Sequence, residues 1–333
     1  MAATLQTMRR LSLRDLATAD PHALSDFFIQ RISAQRDGMA AAASRAGGGS
    51  LVAAINKLER GWTRATNAAG SEAEALIEAE DGAAAAVVEL QKLPRADAMG
   101  SGAQSLLRQT FSAVVSCRAI VHAIALRSAE EPLLLPASEL GHVLAHVAED
   151  SRAFCREKYG DSPEIVVQQV TEAGSTQTSE TPPPDAASPV FLASFVGFTV
   201  HELLKNAMGA HVRAVGADKL EHLPPIALRH GSRAGKAFVG VTDFGEGWAD
   251  APDDALRFLH TTNAEREPTY TYSRQFGSTF EGLGMGLPLT ALHAQYHGGD
   301  LHLHRPPRGG VHAAVTIDVS GDGPEPDIAV LGL

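Results

Sequence analysis

Three short motifs between Val200 and Val319 limit what this chain can fold into more than anything else in its 333 residues. The first is His201-Glu202-Leu203-Leu204-Lys205-Asn206-Ala207-Met208. The second is Asp243-Phe244-Gly245-Glu246-Gly247, and the third is Gly282-Leu283-Gly284-Met285-Gly286-Leu287-Pro288. Each alone is a weak signal, because glycine runs are common and Glu-x-x-x-Asn arises by chance in helices. Their order is the constraint, since together they are expected to form a nucleotide site. Glu202 and Asn206 are four residues apart, so a helix presents both on one face. A carboxylate and an amide so placed offer oxygen ligands to a hard cation and its water, as magnesium sites do. Asp243 closes an apolar strand and meets a Gly-x-Gly turn, where backbone and ligand can approach closely. The third motif opens an apolar helix from Leu287 to Tyr296, whose free N–H groups suit phosphate.

The remainder of the chain frames that site. Its length allows about two domains, and a 44% hydrophobic content is enough for real cores. A formal net charge of −11 argues against a nucleic-acid binder, which needs a basic surface. Cys117 and Cys155 give neither a disulfide framework nor zinc spacing and read as buried thiols in a reducing compartment. No apolar run reaches the length of a membrane span. Arg9, Arg10 and Arg14 with no acid before Asp15 fit a worn mitochondrial transit peptide, and equally an ordinary helix start.

Residues 20–160 read as helices of a bundle. The clearest runs from Ser105 to Ser128, with Leu107, Phe111, Val114, Val115, Ile120 and Ile124 as its apolar stripe. Ser138 is expected to open the next, Glu139 to Tyr159, with Leu140, Val143, Leu144, Val147 and Phe154 inward. Arg118 and His122, at i and i+4, read as a satisfied buried pair or as groups facing a ligand. Residues 171–189 are rich in Thr, Ser, Gln and Pro and read as a loop. Strands are expected at Ile165–Val170, Ile226–Arg229, Lys236–Thr242, Leu301–His304 and Val311–Val319, the last two as a hairpin. Val190 to Met208 reads as one amphipathic helix carrying the first motif, and Asp254 to Leu259 as a short one. Residues 260–281 are polar and aperiodic, the composition of an active-site lid.

In this order the motifs resemble the N-box, Asp-x-Gly-x-Gly box and second glycine box of the GHKL superfamily, the ATPases and kinases with the Bergerat fold. Within it, Glu202–Met208 and Gly282–Pro288 are similar to the mitochondrial kinases that phosphorylate pyruvate dehydrogenase or branched-chain 2-oxoacid dehydrogenase. So are His260-Thr261-Thr262 and Gly298-Gly299-Asp300-Leu301. The likeness is dense over residues 190–318 and thinner over 100–168. It implies an α+β chain: a helical bundle over residues 1–165 that docks lipoyl domains, a GHKL α/β sandwich over 166–320 that binds ATP, and a tail over 321–333. It further implies a protein-serine kinase of the mitochondrial matrix, a homodimer using ATP and Mg2+. The expected substrate is the E1 component of a 2-oxoacid dehydrogenase complex, which it inactivates, and the expected docking partner is the E2 lipoyl domain. Carried onto this sequence, Glu202 is the catalytic base and Asn206 the magnesium ligand. Asp243 accepts the adenine amine, and Gly245 and Gly247 shape its turn. Lys205, Asn206, Thr261, Thr262, Gly282, Leu283, Gly284, Met285, Gly286 and Leu287 complete the ATP site. His201 points about 100° from Glu202 on a helix and reads as packed or solvated.

Several positions depart from the family pattern. Phe198 stands where the family has a histidine one turn before the base, and a phenyl ring offers it no strong hydrogen bond. Gly209 and Phe244 stand where the family has arginines, Glu246 replaces a glycine, and Val311 replaces a threonine that supports adenine. These leave a second reading open: a nucleotide-binding regulatory paralogue, weakly active or inactive, that docks on a lipoyl domain or a kinase subunit. A sensor-type histidine kinase fragment is a third, against which the sequence offers no phosphoacceptor helix motif.

Overall fold

The structure is a computed structural model. It describes residues 11–19, isolated positions between 24 and 89, and residues 101–128, 131–170, 188–233, 235–247, 252–261, 269–273, 277–281 and 284–322. The expected helices between 20 and 100, most of the 171–189 loop and most of the tail therefore lie outside the described residues. Elements are numbered among those described.

Helix α1, Leu13–Thr18, begins with a capping box: the Asp15 N–H donates to Ser12 Oγ and the Ser12 N–H to the Asp15 carboxylate, both at 3.0 Å. Leu11, Leu13 and Leu16 are buried, and Arg14 donates to the carbonyls of Ser188 and Ser320. Of the two readings for this stretch, residues 11–19 take the folded helix start.

Helix α2 runs Ser101–Ser128, four residues earlier than its apolar stripe suggests. Leu107, Phe111, Val115 and Ala119 bury its inner face. After strand β1, Leu134–Pro136, helix α3 spans Leu140–Tyr159. Ser138 does not cap it. It lies inside a 3-10 turn, Ala137–Glu139, which runs straight into the helix, so the backbone itself supplies the lead-in bond from Leu140 N–H to the Ala137 carbonyl. Gly160, at φ 89°, ends α3 in the left-handed conformation and returns its N–H to the Arg156 carbonyl.

Strand β2, Ile165–Gln169, is followed by β3, Val190–Leu192, and only then by helix α4, Ala193–Val215. The sequence suggested helix from Val190. Instead Val190, Phe191 and Leu192 pair antiparallel with β1, a partner more than 50 residues back that no local periodicity reveals. At its other end α4 runs seven residues past Met208, to a stop at Gly216.

The main sheet contains β2, β4 (Ile226–Arg233), β5 (Lys236–Thr242), β9 (His312–Asp318) and β8 (Asp300–His304), in the order β2-β4-β5-β9-β8. The β2–β4 pair is parallel and the other pairs are antiparallel. The last two strands form the expected hairpin. Alternation sets which face is buried: Ile226, Leu228, Val239, Val241, Ala313, Val315 and Ile317 turn to one side. There they meet α3, α4 and α6, Gly286–Tyr296, in one core. Leu144 is fully buried in it. Leu144→Ala should therefore cost about 2–5 kcal/mol, read as a fall in the urea midpoint. A second core joins α1 and α2 to Phe195 and Phe198 of α4 and to Leu289 and Tyr296 of α6.

Between the second and third motifs two expectations change. Helix α5 is only Pro252–Ala255, because the chain leaves it to bury Phe258 and Leu259. Part of the 260–281 segment is an antiparallel hairpin, β6 (Thr269–Ser273) with β7 (Gly277–Glu281), rather than aperiodic. The run Thr269-Tyr270-Thr271-Tyr272 has the β-branched and aromatic make-up that favours it. The chain is thus α+β, with a mixed sheet covered by helices. No helix among the described residues is long and apolar enough to cross a membrane.

Candidate functional site

Helix α4 carries the first motif past the start of α6, and this crossing builds the centre of the site. Glu202 is 1% exposed. Its Oε1 accepts from Lys205 Nζ at 2.5 Å, one turn along the same helix. Its Oε2 has no hydrogen-bond partner among the described residues. That oxygen faces Gly286, where any Cβ would collide with it. A buried carboxylate oxygen left without a donor is costly, and such groups concentrate at functional sites. Lys205, expected in the ATP site, is the partner of Glu202. It supplies the polar contact that Phe198 cannot. Asn206, the next residue, is exposed on the same side of α4 as Glu202.

The third motif enters through Gly284, at φ 66°, which lies so close to the His260 carbonyl that no side chain fits. Met285, fully buried, precedes α6 at its N-cap, and no side chain caps the helix. Gly286 and the half-buried Leu287 form its first turn. Thr261 is half-buried beside His260. Thr262, Gly282 and Leu283 lie outside the described residues.

Asp243 follows β5 and is 4% exposed. Its Oδ1 accepts from the Gly245 N–H at 2.9 Å, and its own N–H donates to the Val311 carbonyl at 2.9 Å. Burial pushes the Asp243 carboxyl up to about 6, offset in part by backbone donors and by the Arg213 charge. Val311 therefore meets Asp243 through its main chain, whereas its side chain joins the sheet core. Gly245 packs on Ala210 of α4, and Gly247 follows at φ 72°.

Two residues of this turn were not singled out by sequence. His211 Nε2 accepts from the Phe244 N–H at 3.0 Å, and burial lowers its imidazole to about 4, so it stays neutral as an acceptor requires. Arg213 bonds Glu246 at 2.7 Å, with its guanidinium over Gly209. Three of the departures from the family pattern, Gly209, Phe244 and Glu246, thus meet these two residues. Both lie beyond Met208, where the helix was expected to end. Following its periodicity to Val215 was the signal that could have found them.

The other flagged residues turn away. His201 is buried, 2.8 Å from Ser151 Oγ, and burial pushes it down to about 3. Phe198 stacks on His293 at 4.4 Å, with the Arg118 guanidinium 5.5 Å from its ring centroid. Burial and the Arg118 charge lower His122 to about 3. Arg118 and His122 are thus a packed pair between α2 and the helices of the sheet core.

No protein-family profile matches the chain. Curated relatives do. The chain is 29% identical over 170 residues to the mitochondrial pyruvate dehydrogenase (acetyl-transferring) kinase of Drosophila melanogaster, covering 50% of this chain and 38% of that protein. It is 28% identical over 192 residues to the Arabidopsis thaliana enzyme of the same name, covering 55% and 47%. It is 29% identical over 182 residues to mouse isozyme 1, covering 55% and 39%. The matches thus span less than half the length of these relatives. Over the matched half, this chain is similar to the pyruvate dehydrogenase kinases.

Proposed function

We propose that the chain is an ATP-dependent protein-serine kinase acting on the E1 component of the pyruvate dehydrogenase complex. The observation that carries this reading is Glu202: a buried carboxylate with one oxygen held by Lys205 and the other facing Gly286, between the first and third motifs. Glu202 Oε2 is free to accept the proton of a substrate serine as its oxygen attacks the γ-phosphorus and the bond to ADP breaks. Lys205 holds the carboxylate in place, and the uncapped first turn of α6 offers N–H groups to phosphate. Asp243, desolvated beside its turn, accepts the adenine amine. The relatives' names favour pyruvate dehydrogenase over the branched-chain complex as the target.

Magnesium fits this donor set. It keeps most of its waters and takes one or two protein oxygens, and Asn206 offers an exposed amide oxygen one turn from Glu202. Magnesium there supplies charge neutralisation among the phosphate oxygens.

The rest of the reading follows the family. The sheet and its helices over 166–320 form a GHKL sandwich, residues 1–165 form a regulatory bundle that docks the E2 lipoyl domain, and 321–333 form a tail. The reading includes a homodimer in the mitochondrial matrix, and the relatives' names support the mitochondrion as the compartment. A second reading, a nucleotide-binding regulatory paralogue with little transfer, is favoured by Phe198, which stacks on His293 and leaves Lys205 as the base's side-chain hydrogen-bond partner among the described residues. The deciding experiment is calorimetric titration with magnesium-ATP beside transfer of labelled phosphate to the pyruvate and branched-chain complexes. Binding with transfer to pyruvate dehydrogenase E1 is expected. Binding without transfer to either complex replaces the kinase by the regulator.

A further inference from the structure

Leu259 is the sole residue other than glycine with a positive φ among the described residues, at 64°. A γ-branched L-residue rarely adopts that conformation, and it persists only where the neighbouring backbone is held from several sides. Here the holding groups come from two separate stretches of the chain. The side-chain amide of Gln104, on the first turns of α2, donates from Nε2 to the Phe258 carbonyl and accepts at Oε1 from the Phe258 N–H, both at 2.9 Å. The pair reproduces a β-ladder exchange, with a side chain standing in for one strand. The Phe258 ring is stacked on Phe111, two turns along α2, with centroids 5.4 Å apart and planes at 15°. On the other side, the Leu259 N–H donates to the Gly284 carbonyl at 3.0 Å. The His260 backbone then occupies the space where a Gly284 side chain would stand.

We propose that Gln104 is a positioning residue for the nucleotide site. It fixes Phe258 by both backbone groups, and so sets Leu259 and His260 against Gly284 of the third motif. This rests on the reading of that motif as part of an ATP site, and it adds a residue 154 positions away that no motif contains. Leu259 passes the constraint on: with Phe258 released, its left-handed backbone relaxes, its bond to Gly284 opens, and the approach to Thr261 loses its fixed direction. A displacement of α2 is transmitted to Gly284 by the same route.

The test compares wild type with Gln104→Met, which keeps the side-chain volume and removes both hydrogen bonds, and with Gln104→Glu, which keeps the acceptor and loses the donor. Amide exchange is followed without nucleotide, and magnesium-ATP affinity is measured by calorimetry. In Gln104→Met the Phe258 and Leu259 amides should exchange about tenfold faster or more, with the α2 amides unchanged. ATP affinity should weaken by about tenfold, and Gln104→Glu should fall between the two in both readouts. Unchanged exchange at Leu259 overturns the proposal. So does faster exchange with ATP affinity equal to wild type, or a loss of protection spread through all of α2, which marks a merely structural role. If the wild-type protein binds no ATP, the kinase reading is what fails, and exchange at Leu259 still decides whether Gln104 holds this backbone.

Discussion

Glu202→Gln should lower phosphate transfer to pyruvate dehydrogenase by about 10²–10⁴-fold while leaving magnesium-ATP affinity close to wild type, because a positioned base contributes a factor of that size. The substitution is nearly isosteric, so the packing against Gly286 survives. An amide oxygen can still accept from Lys205 at the Oε1 position, and Lys205 lies near enough to solvent, at 11% exposure, to turn outward if it does not. The proton-accepting capacity alone is removed. The mutant should therefore keep its fold and its nucleotide and lose its rate. Transfer at the wild-type rate would show that Glu202 is not the base. Equal loss of ATP affinity and rate would instead make Glu202 part of the binding cradle.

Asp243→Asn should separate stability from binding in the opposite direction. In the folded protein the Asp243 carboxyl rises from its ordinary 3.8 to about 6, with burial as the main cause. A carboxyl with a raised folded pKa is neutral in both states below about pH 4, and its ionisation then costs stability as pH rises towards 6. Above that value the whole penalty is present, about 3 kcal/mol from a shift of that size. Asn carries no such charge and can still accept from the Gly245 N–H, so the variant should unfold at higher urea than wild type at neutral pH. The gain should vanish in mild acid. Nucleotide binding should move the other way. With its oxygen committed to Gly245, Asn turns an NH2 group towards the adenine amine, donor against donor. Losing a hydrogen bond to a charged acceptor is worth about 10–100-fold in affinity. Wild-type affinity should itself fall as pH drops through about 6 and the carboxyl takes up a proton. An affinity for ATP unchanged by Asp243→Asn would remove Asp243 from the adenine site, whatever the stability result.

Much of the fold was legible because it is periodic. Strand β5 matches its expected bounds, Lys236–Thr242, because alternating burial and a glycine turn at each end leave one register. The same holds for the end of α3, where Gly160 takes the left-handed turn that stops a helix. The start of α4 was not legible, because β3 is a strand only through its pairing with β1. The 269–281 hairpin is hidden for a different reason: the segment around it is polar, and the Thr-Tyr alternation is too short to stand out from that composition.

By itself the sequence determined the order of the three motifs, the helix face shared by Glu202 and Asn206, and the turn after Asp243, since each depends only on spacing and local backbone preference. The resemblance to the pyruvate dehydrogenase kinases is carried mainly by the same stretch. Tertiary structure alone decided the partners. Lys205 pairs with Glu202 because the crossing of α4 over Gly286 buries that carboxylate and leaves an oxygen to be paired. Arg213 covers Gly209, His211 holds Phe244, and Gln104 holds Phe258 across 154 residues. Contacts of that kind carry no periodicity, because they are set by which buried polar groups are left needing a partner once the cores have packed.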